Sequence, residues 1–268
     1  MVKKLFKHEF KAWLRIMAVV WAVMLAFAAV YRLFLCFESD SVAYTVISVL
    51  AAMIFIIFLS VCIIFCEVFG VVRFYKNLFT GEGYLSFTLP VTAANHLWVK
   101  ALTTAAMVLI TFLMIGVSVL IVTAGDVLTE VWKAAAYLWG KIPPKNVGHM
   151  IGYGIEMTVL VLVSFLFTPM LYYACICIGQ LFRKHRVLGA IGVYFGYYYI
   201  CQIIGTVIMG VLTVFTETVM EETVVEMVAF PYEGFHGLLG GSIVWTVGIG
   251  MVYFAICHHI MTKKLNLE

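Results

Sequence analysis

Six long apolar runs limit what this chain can fold into. They lie near residues 16–37, 42–70, 101–125, 151–182, 187–216 and 237–261. Each reaches the roughly 20 helical residues needed to cross the hydrocarbon layer of a bilayer. The second, fourth and fifth exceed that minimum, so they are expected to tilt, kink or project beyond the lipid. A membrane barrel would instead show segments of about ten residues with alternating polarity, and no such alternation is present. Because lipid offers no hydrogen bonds to the backbone, helices remain. Only 12% of the 268 residues are charged and 64% are hydrophobic, against about 25% charged in a soluble domain. The expectation is an all-α integral membrane protein, a single transmembrane domain over residues 1–268 with six transmembrane helices.

The basic residues predict the orientation. With the N-terminus inside, the cytoplasmic side holds Lys3, Lys4, Lys7, Lys11, Arg15, Arg73, Lys76, Lys100, Arg183, Lys184, Arg186, Lys263 and Lys264, leaving Arg32, Lys133, Lys141 and Lys145 outside. Lys and Arg are enriched in cytoplasmic loops, so this asymmetry predicts N-in and C-in. The acidic residues run the opposite way. Glu217, Glu221, Glu222, Glu226 and Glu233 gather in one stretch, which makes residues 216–236 an acidic extracellular loop, expected to be partly helical. The net charge of +3 describes this asymmetry and gives no sign of a nucleic-acid partner.

The first apolar run is span-length and is not closed by a small-residue cleavage site before Arg32, so it is expected to stay in the mature protein. The seven cysteines, at 36, 62, 66, 175, 177, 201 and 257, lie in or beside apolar runs. They read as small packing residues, and Cys62 with Cys66 is too few ligands for a metal site. No G-x-x-x-x-G-K-[ST] phosphate loop and no Ser/His/Asp or metal-ligand constellation stands at usable spacing. The chain is therefore not expected to be an enzyme or to hold a cofactor or metal.

Residues 1–15 form an amphipathic pattern. On a helical wheel Val2, Leu5, Phe6, Phe10, Trp13 and Met17 fall on one side, and Lys4, Lys7, His8, Lys11 and Arg15 on the other. This predicts an interfacial helix on the cytoplasmic membrane surface, its cations near anionic lipid or an acidic partner. Glu9 breaks the pattern. It sits on the apolar flank, where a lone carboxylate is costly unless it is paired or left at the water boundary.

Residues 71–100 read as a cytoplasmic loop. Gly81, Gly83 and Pro90 break it, yet it is rich in Phe, Tyr and Leu. Apolar side chains on an exposed loop need a surface to bury against. A short helix ending before Pro90 is expected, and Thr92 with Asn95 supplies a start for the next helix.

The amphipathic N-terminal segment, the six spans and the Glu82-Gly83-Tyr84-Leu85 and Thr88-Leu89-Pro90-Val91 stretches, followed by Lys100, resemble the permease subunit of type-2 ABC exporters. The likeness is nearest to small Gram-positive peptide exporters such as the phenol-soluble modulin and lantibiotic systems. It covers the whole chain in topology, and its specific motif lies within about Tyr75 to Lys100. The resemblance implies a bacterial cell-membrane protein whose 71–100 segment is a coupling loop, with a short helix over Lys76 to Leu89 that sets Phe79, Glu82, Tyr84, Leu85 and Phe87 against a separate ABC-type ATPase. Lys4, Lys7, Glu9, Lys11 and Arg15 of the interfacial helix would lie beside it. It further implies two permease copies and two ATPase copies, with ATP and Mg on the partner, and a subunit interface at the fifth span together with the first.

Two features of the fifth span invite roles. Gly192 and Gly196 make a close-approach motif that serves either dimer packing or packing within the chain. Tyr194, Tyr198 and Gln202 fall near one face. They are candidates to line a path for hydrophobic or amphipathic peptides, or else are interfacial aromatics and interhelical hydrogen-bond partners. Pro169 should kink the fourth span. Only Glu67 and Glu156 approach the spans, both near predicted ends, and Glu67 is expected to pair with Arg73 or Lys76. An ion-coupled secondary transporter normally shows deep ionisable groups, so it is the alternative reading, together with a membrane assembly protein that transports nothing.

Overall fold

The computed structural model describes residues 2–37, 41–80, 91–182, 184–220 and 232–263, with side chains at all of these but 145, 212–220 and 232–234. Its described residues form helices joined by turns, without a strand: α1 (Val2–Leu35), α2 (Val42–Phe79), α3 (Ala93–Val122), α4 (Asp126–Gly140), a 3-10 turn (Pro144–Asn146), α5 (Val147–Gly179), α6 (Arg186–Met220) and α7 (Tyr232–Lys263). Six helices, all but α4, are long and apolar enough to cross a membrane. The chain is thus a multi-pass helical membrane protein. It divides into two compact units, Met1–Val147 and Gly148–Glu268.

In the first unit the observed helices are longer than the apolar runs. α1 does not end near residue 15; it continues unbroken for 34 residues, about 51 Å at 1.5 Å per residue. The reason is local. No Gly or Pro occurs between Val2 and Leu35, so nothing interrupts the i to i−4 ladder where the residues turn from charged to apolar. α2 passes through Gly70 and meets no further Gly or Pro before Phe79, so it runs nine residues past the expected limit at 70. α3 likewise starts at Ala93, its N-terminus capped by Thr92, whose hydroxyl accepts from the Asn95 amide at 3.4 Å. The 71–100 segment is therefore helical at both ends. Its middle, residues 81–90, lies outside the described residues.

α1 packs along α2 and α3 through a row at three- and four-residue spacing. Glu9, Trp13, Met17, Trp21, Met24 and Ala28 are its buried positions. The Trp21 indole donates to the Thr111 hydroxyl of α3 at 3.2 Å. Near its C-terminus Ala28 meets Phe55 of α2 and Val122 of α3, and Arg32 donates to the Val122 carbonyl at 3.4 Å. The last turns of α1 and α3 thus share one end of the unit. Ser41 caps α2 by accepting from the Tyr44 amide at 3.1 Å.

α3 ends in a sharp turn. The Gly125 amide donates to the Leu120 carbonyl at 3.1 Å and the Ala124 amide to the Ile121 carbonyl at 3.3 Å, the paired bonds of a Schellman motif. Ala124 and Gly125 have φ of 52° and 86°. Two successive left-handed residues end the span, and α4, which no apolar run announces, begins at the next residue.

In the second unit α5, α6 and α7 meet through small residues and tyrosines. A Cβ on Gly179 at the end of α5 would lie 2.6 Å from Ala190 of α6, and one on Gly250 of α7 would collide with the Phe167 ring of α5. The Tyr253 hydroxyl of α7 donates to the Tyr197 hydroxyl of α6. α5 runs through Pro169 as one helix.

Candidate functional site

The first unit holds a buried polar cluster built on Glu9. One turn before Trp13, Glu9 starts the row that α1 turns toward its neighbours, and it is only 9% exposed. Its Oε2 accepts from Arg73 Nε at 2.7 Å. Its Oε1 accepts from Lys100 Nζ at 3.0 Å and from Asn77 Nδ2 at 3.2 Å. Lys100 is itself buried. α2 supplies Arg73 and Asn77 from successive turns of one face, and α3 supplies Lys100 two turns after its start. One carboxylate between two cations leaves the cluster with a net positive charge. Removing Glu9 takes from both cations the carboxylate they share in a poorly hydrated setting.

Apolar packing closes the inner side of this cluster. Trp13 stands edge-on to Phe69 with ring centroids 4.9 Å apart. At Gly70 the helices approach so closely that a Cβ would lie 3.0 Å from the Thr104 methyl and 3.3 Å from the Trp13 ring. On the outer side Phe74, Leu78 and Phe79 are buried, with Phe79 against Phe74 at a centroid distance of 5.7 Å. Both Glu9 oxygens are engaged by these donors. It ties three helices together at the ends that bracket residues 80–92.

Lys4, Lys7, Lys11 and Arg15 are exposed on the opposite side of α1, while Glu9 has left them and joined the protein interior. Trp13 and Met17, expected on a membrane-facing side, are buried within the unit. Phe79 is the last residue of α2 and is engaged by its own helix. Glu82, Tyr84, Leu85 and Phe87 lie outside the described residues, as does most of the 216–236 segment. Glu67 does not pair with Arg73, whose Nε is committed to Glu9; Glu67 Oε2 is buried without a hydrogen-bond partner among the described residues.

On α6 of the second unit, Tyr198 and Gln202 are exposed, and Tyr194 is half-buried with its ring 5.7 Å from that of Tyr172. A Cβ on Gly192 or Gly196 would meet nothing within 4 Å. Close approach inside this unit uses Gly152, Gly179, Gly189 and Gly250 instead, so Gly192 and Gly196 remain open.

The second unit also contains a polar chain that sequence reasoning missed. His149 Nδ1 lies 3.2 Å from His236 Nε2, and His236 Nδ1 lies 2.8 Å from Glu156 Oε1. His149 and Glu156 are two turns apart on α5, but nothing in the sequence points to His236, 80 residues beyond Glu156. Among the described residues no group of three or more His, Cys, Asp or Glu is placed to hold a metal ion. Asn77 was also missed. The signal for the Glu9 cluster was present, because the large apolar residues at 13, 17 and 21 continue the Glu9 row without a break.

Set against known protein families, curated proteins and solved structures, the chain finds no match in any of the three.

Proposed function

We propose that this chain is the permease subunit of an ATP-driven exporter of the bacterial cell membrane. It would carry hydrophobic or amphipathic peptides outward with energy from a separate ATPase. The observation that supports this reading is the Glu9 tie, which joins α1, α2 and α3 at the ends flanking residues 80–92. A docking segment transmits a push from a partner only if the helices at both of its ends move together, and a charge cluster shared by three helices meets that need.

In this reading Glu82, Tyr84, Leu85 and Phe87 contact the ATPase, and Phe79 belongs to the seat beneath them. ATP and Mg are held by the partner, two copies of which serve two permeases. The open surface at Gly192 and Gly196 suits close approach of a second permease. The exposed Tyr198 and Gln202 offer an aromatic, hydrogen-bonding face to an amphipathic cargo. The N-terminal end and residues 80–92 lie on the cytoplasmic side by the charge asymmetry.

Co-purification tests the reading. Burial of one large side chain contributes about 1.5–3 kcal/mol, so Tyr84→Ala with Leu85→Ala should weaken ATPase binding by orders of magnitude. The double variant should reach the membrane at normal levels and lose its ATPase partner on purification. Full retention of the partner and of transport-coupled hydrolysis would contradict the proposal.

A further inference from the structure

α4 is a second amphipathic helix, and none of the described residues covers it. Every residue from Asp126 to Gly140 is exposed, and Trp132 is 75% exposed. At 100° per residue Val127, Leu128, Val131, Trp132, Leu138 and Trp139 occupy an arc of about 140°. Asp126, Thr129, Glu130, Lys133 and Tyr137 fill the opposite side. The polar side is satisfied along the helix itself. Lys133 Nζ pairs with Glu130 Oε1 at 2.8 Å, and Lys141 Nζ lies 4.4 Å from the Tyr137 ring centroid.

We propose that α4 lies in the membrane–water interface, its Trp132 and Trp139 side inserted among lipid acyl chains, on the side opposite the Glu9 cluster. Three observations choose lipid over a protein partner. The helix is held at the bilayer by its neighbours in the chain: it begins four residues after a span ends and finishes seven residues before the next begins. The left-handed pair Ala124 and Gly125 stops α3 at that level and frees the chain to change direction. Finally, the apolar arc carries no charge and the polar arc balances Asp126 and Glu130 against Lys133 and Lys141. Such a helix has no net charge to recruit an acidic or basic partner, and two tryptophans on one stripe suit the headgroup level. Apolar insertion then holds the helix without a requirement for anionic lipid. The inference needs only the multi-pass fold, so it stands or falls apart from the exporter reading.

Spin-label accessibility tests it in the full chain reconstituted in phosphatidylcholine vesicles. Cys36 and Cys201, the exposed cysteines among the seven, are replaced by serine. Single cysteines are then introduced as L128C, V131C, E130C and K133C, all at exposed positions. Labels at 128 and 131 should be relaxed by oxygen and shielded from a water-soluble nickel chelate, and labels at 130 and 133 should show the reverse. Equal access of the chelate to all four would put α4 in water and overturn the proposal. Shielding of 128 and 131 from both oxygen and chelate would show a protein cover, such as a second copy, and would equally overturn it.

Discussion

α1 and α4 begin from the same pattern. Both carry aromatic and aliphatic residues on one arc and lysines on the other, and both have a Glu among them. In α1 Trp13 and Met17 of the arc are buried against α2 and α3, and the Glu9 carboxylate is buried in the same row. In α4 the arc is open along its whole length, and its Glu130 stays on the polar side beside Lys133. Amphipathicity announces that a helix has a face to cover; it does not say with what. The position of the charge does. A carboxylate inside an apolar row is intolerable against acyl chains and acceptable only beside fixed cations, so Glu9 marks a protein-covered face and the charge-free arc of α4 a lipid-covered one.

The two carboxylates should differ most. Glu9→Gln should lower the stability of the first unit by about 3–5 kcal/mol, the cost of removing one partner of a buried ion pair, as measured by reversible unfolding in mixed micelles. Glu130→Gln should change it by no more than about 0.5 kcal/mol. Comparable losses at the two sites would erase the distinction. The tryptophans come next. Trp13→Ala leaves a cavity between α1 and α2 and should cost about 3 kcal/mol. Trp132→Ala should leave the unfolding midpoint nearly unchanged, since Trp132 is three-quarters free of contact with this chain and its contact with lipid persists when the helices separate in micelles. A stabilising change, smaller than the losses at Glu9 and Trp13, is expected where α3 hands over to α4. Ala124 holds a left-handed φ that costs a non-glycine residue roughly 1–2 kcal/mol, so Ala124→Gly should raise stability by about 1 kcal/mol once the added chain entropy is offset. A destabilised Ala124→Gly variant would show that the turn is not strained by its Cβ.

The spans are legible in the sequence because lipid selects on length and apolarity alone, and both are visible residue by residue. Helix ends are less so. Arg73, Lys76 and Asn77 mark where α2 becomes polar, which ends an apolar run but not a helix; a backbone ladder continues through polar residues where no Gly or Pro follows, as it does from Val71 to Phe79. The α1 boundary expected at residue 15 fails for the same reason. α4 escapes a search for spans because its 15 residues are too short and too charged to cross the bilayer. Of the Glu9 cluster, the unpaired carboxylate is visible and the need for a partner follows from it. Which cations serve is not, because Arg73 and Lys100 are brought to Glu9 only by the packing of three helices, and the nearer Glu67 competes for Arg73 on sequence distance alone. His236 shows the limit more plainly, since its two partners lie 80 and 87 residues away on a different helix.

If Glu9 fastens α1 to the helices on either side of residues 80–92, then Glu9 and Lys100 must be energetically coupled across α1 and α3. A cycle of Glu9→Gln, Lys100→Met and the double variant, each followed by reversible unfolding, should give a coupling of about 1–3 kcal/mol, with the double variant less damaged than the two single losses added together. Strictly additive losses would mean that the two charges do not sense each other and that α1 is held by its apolar row alone.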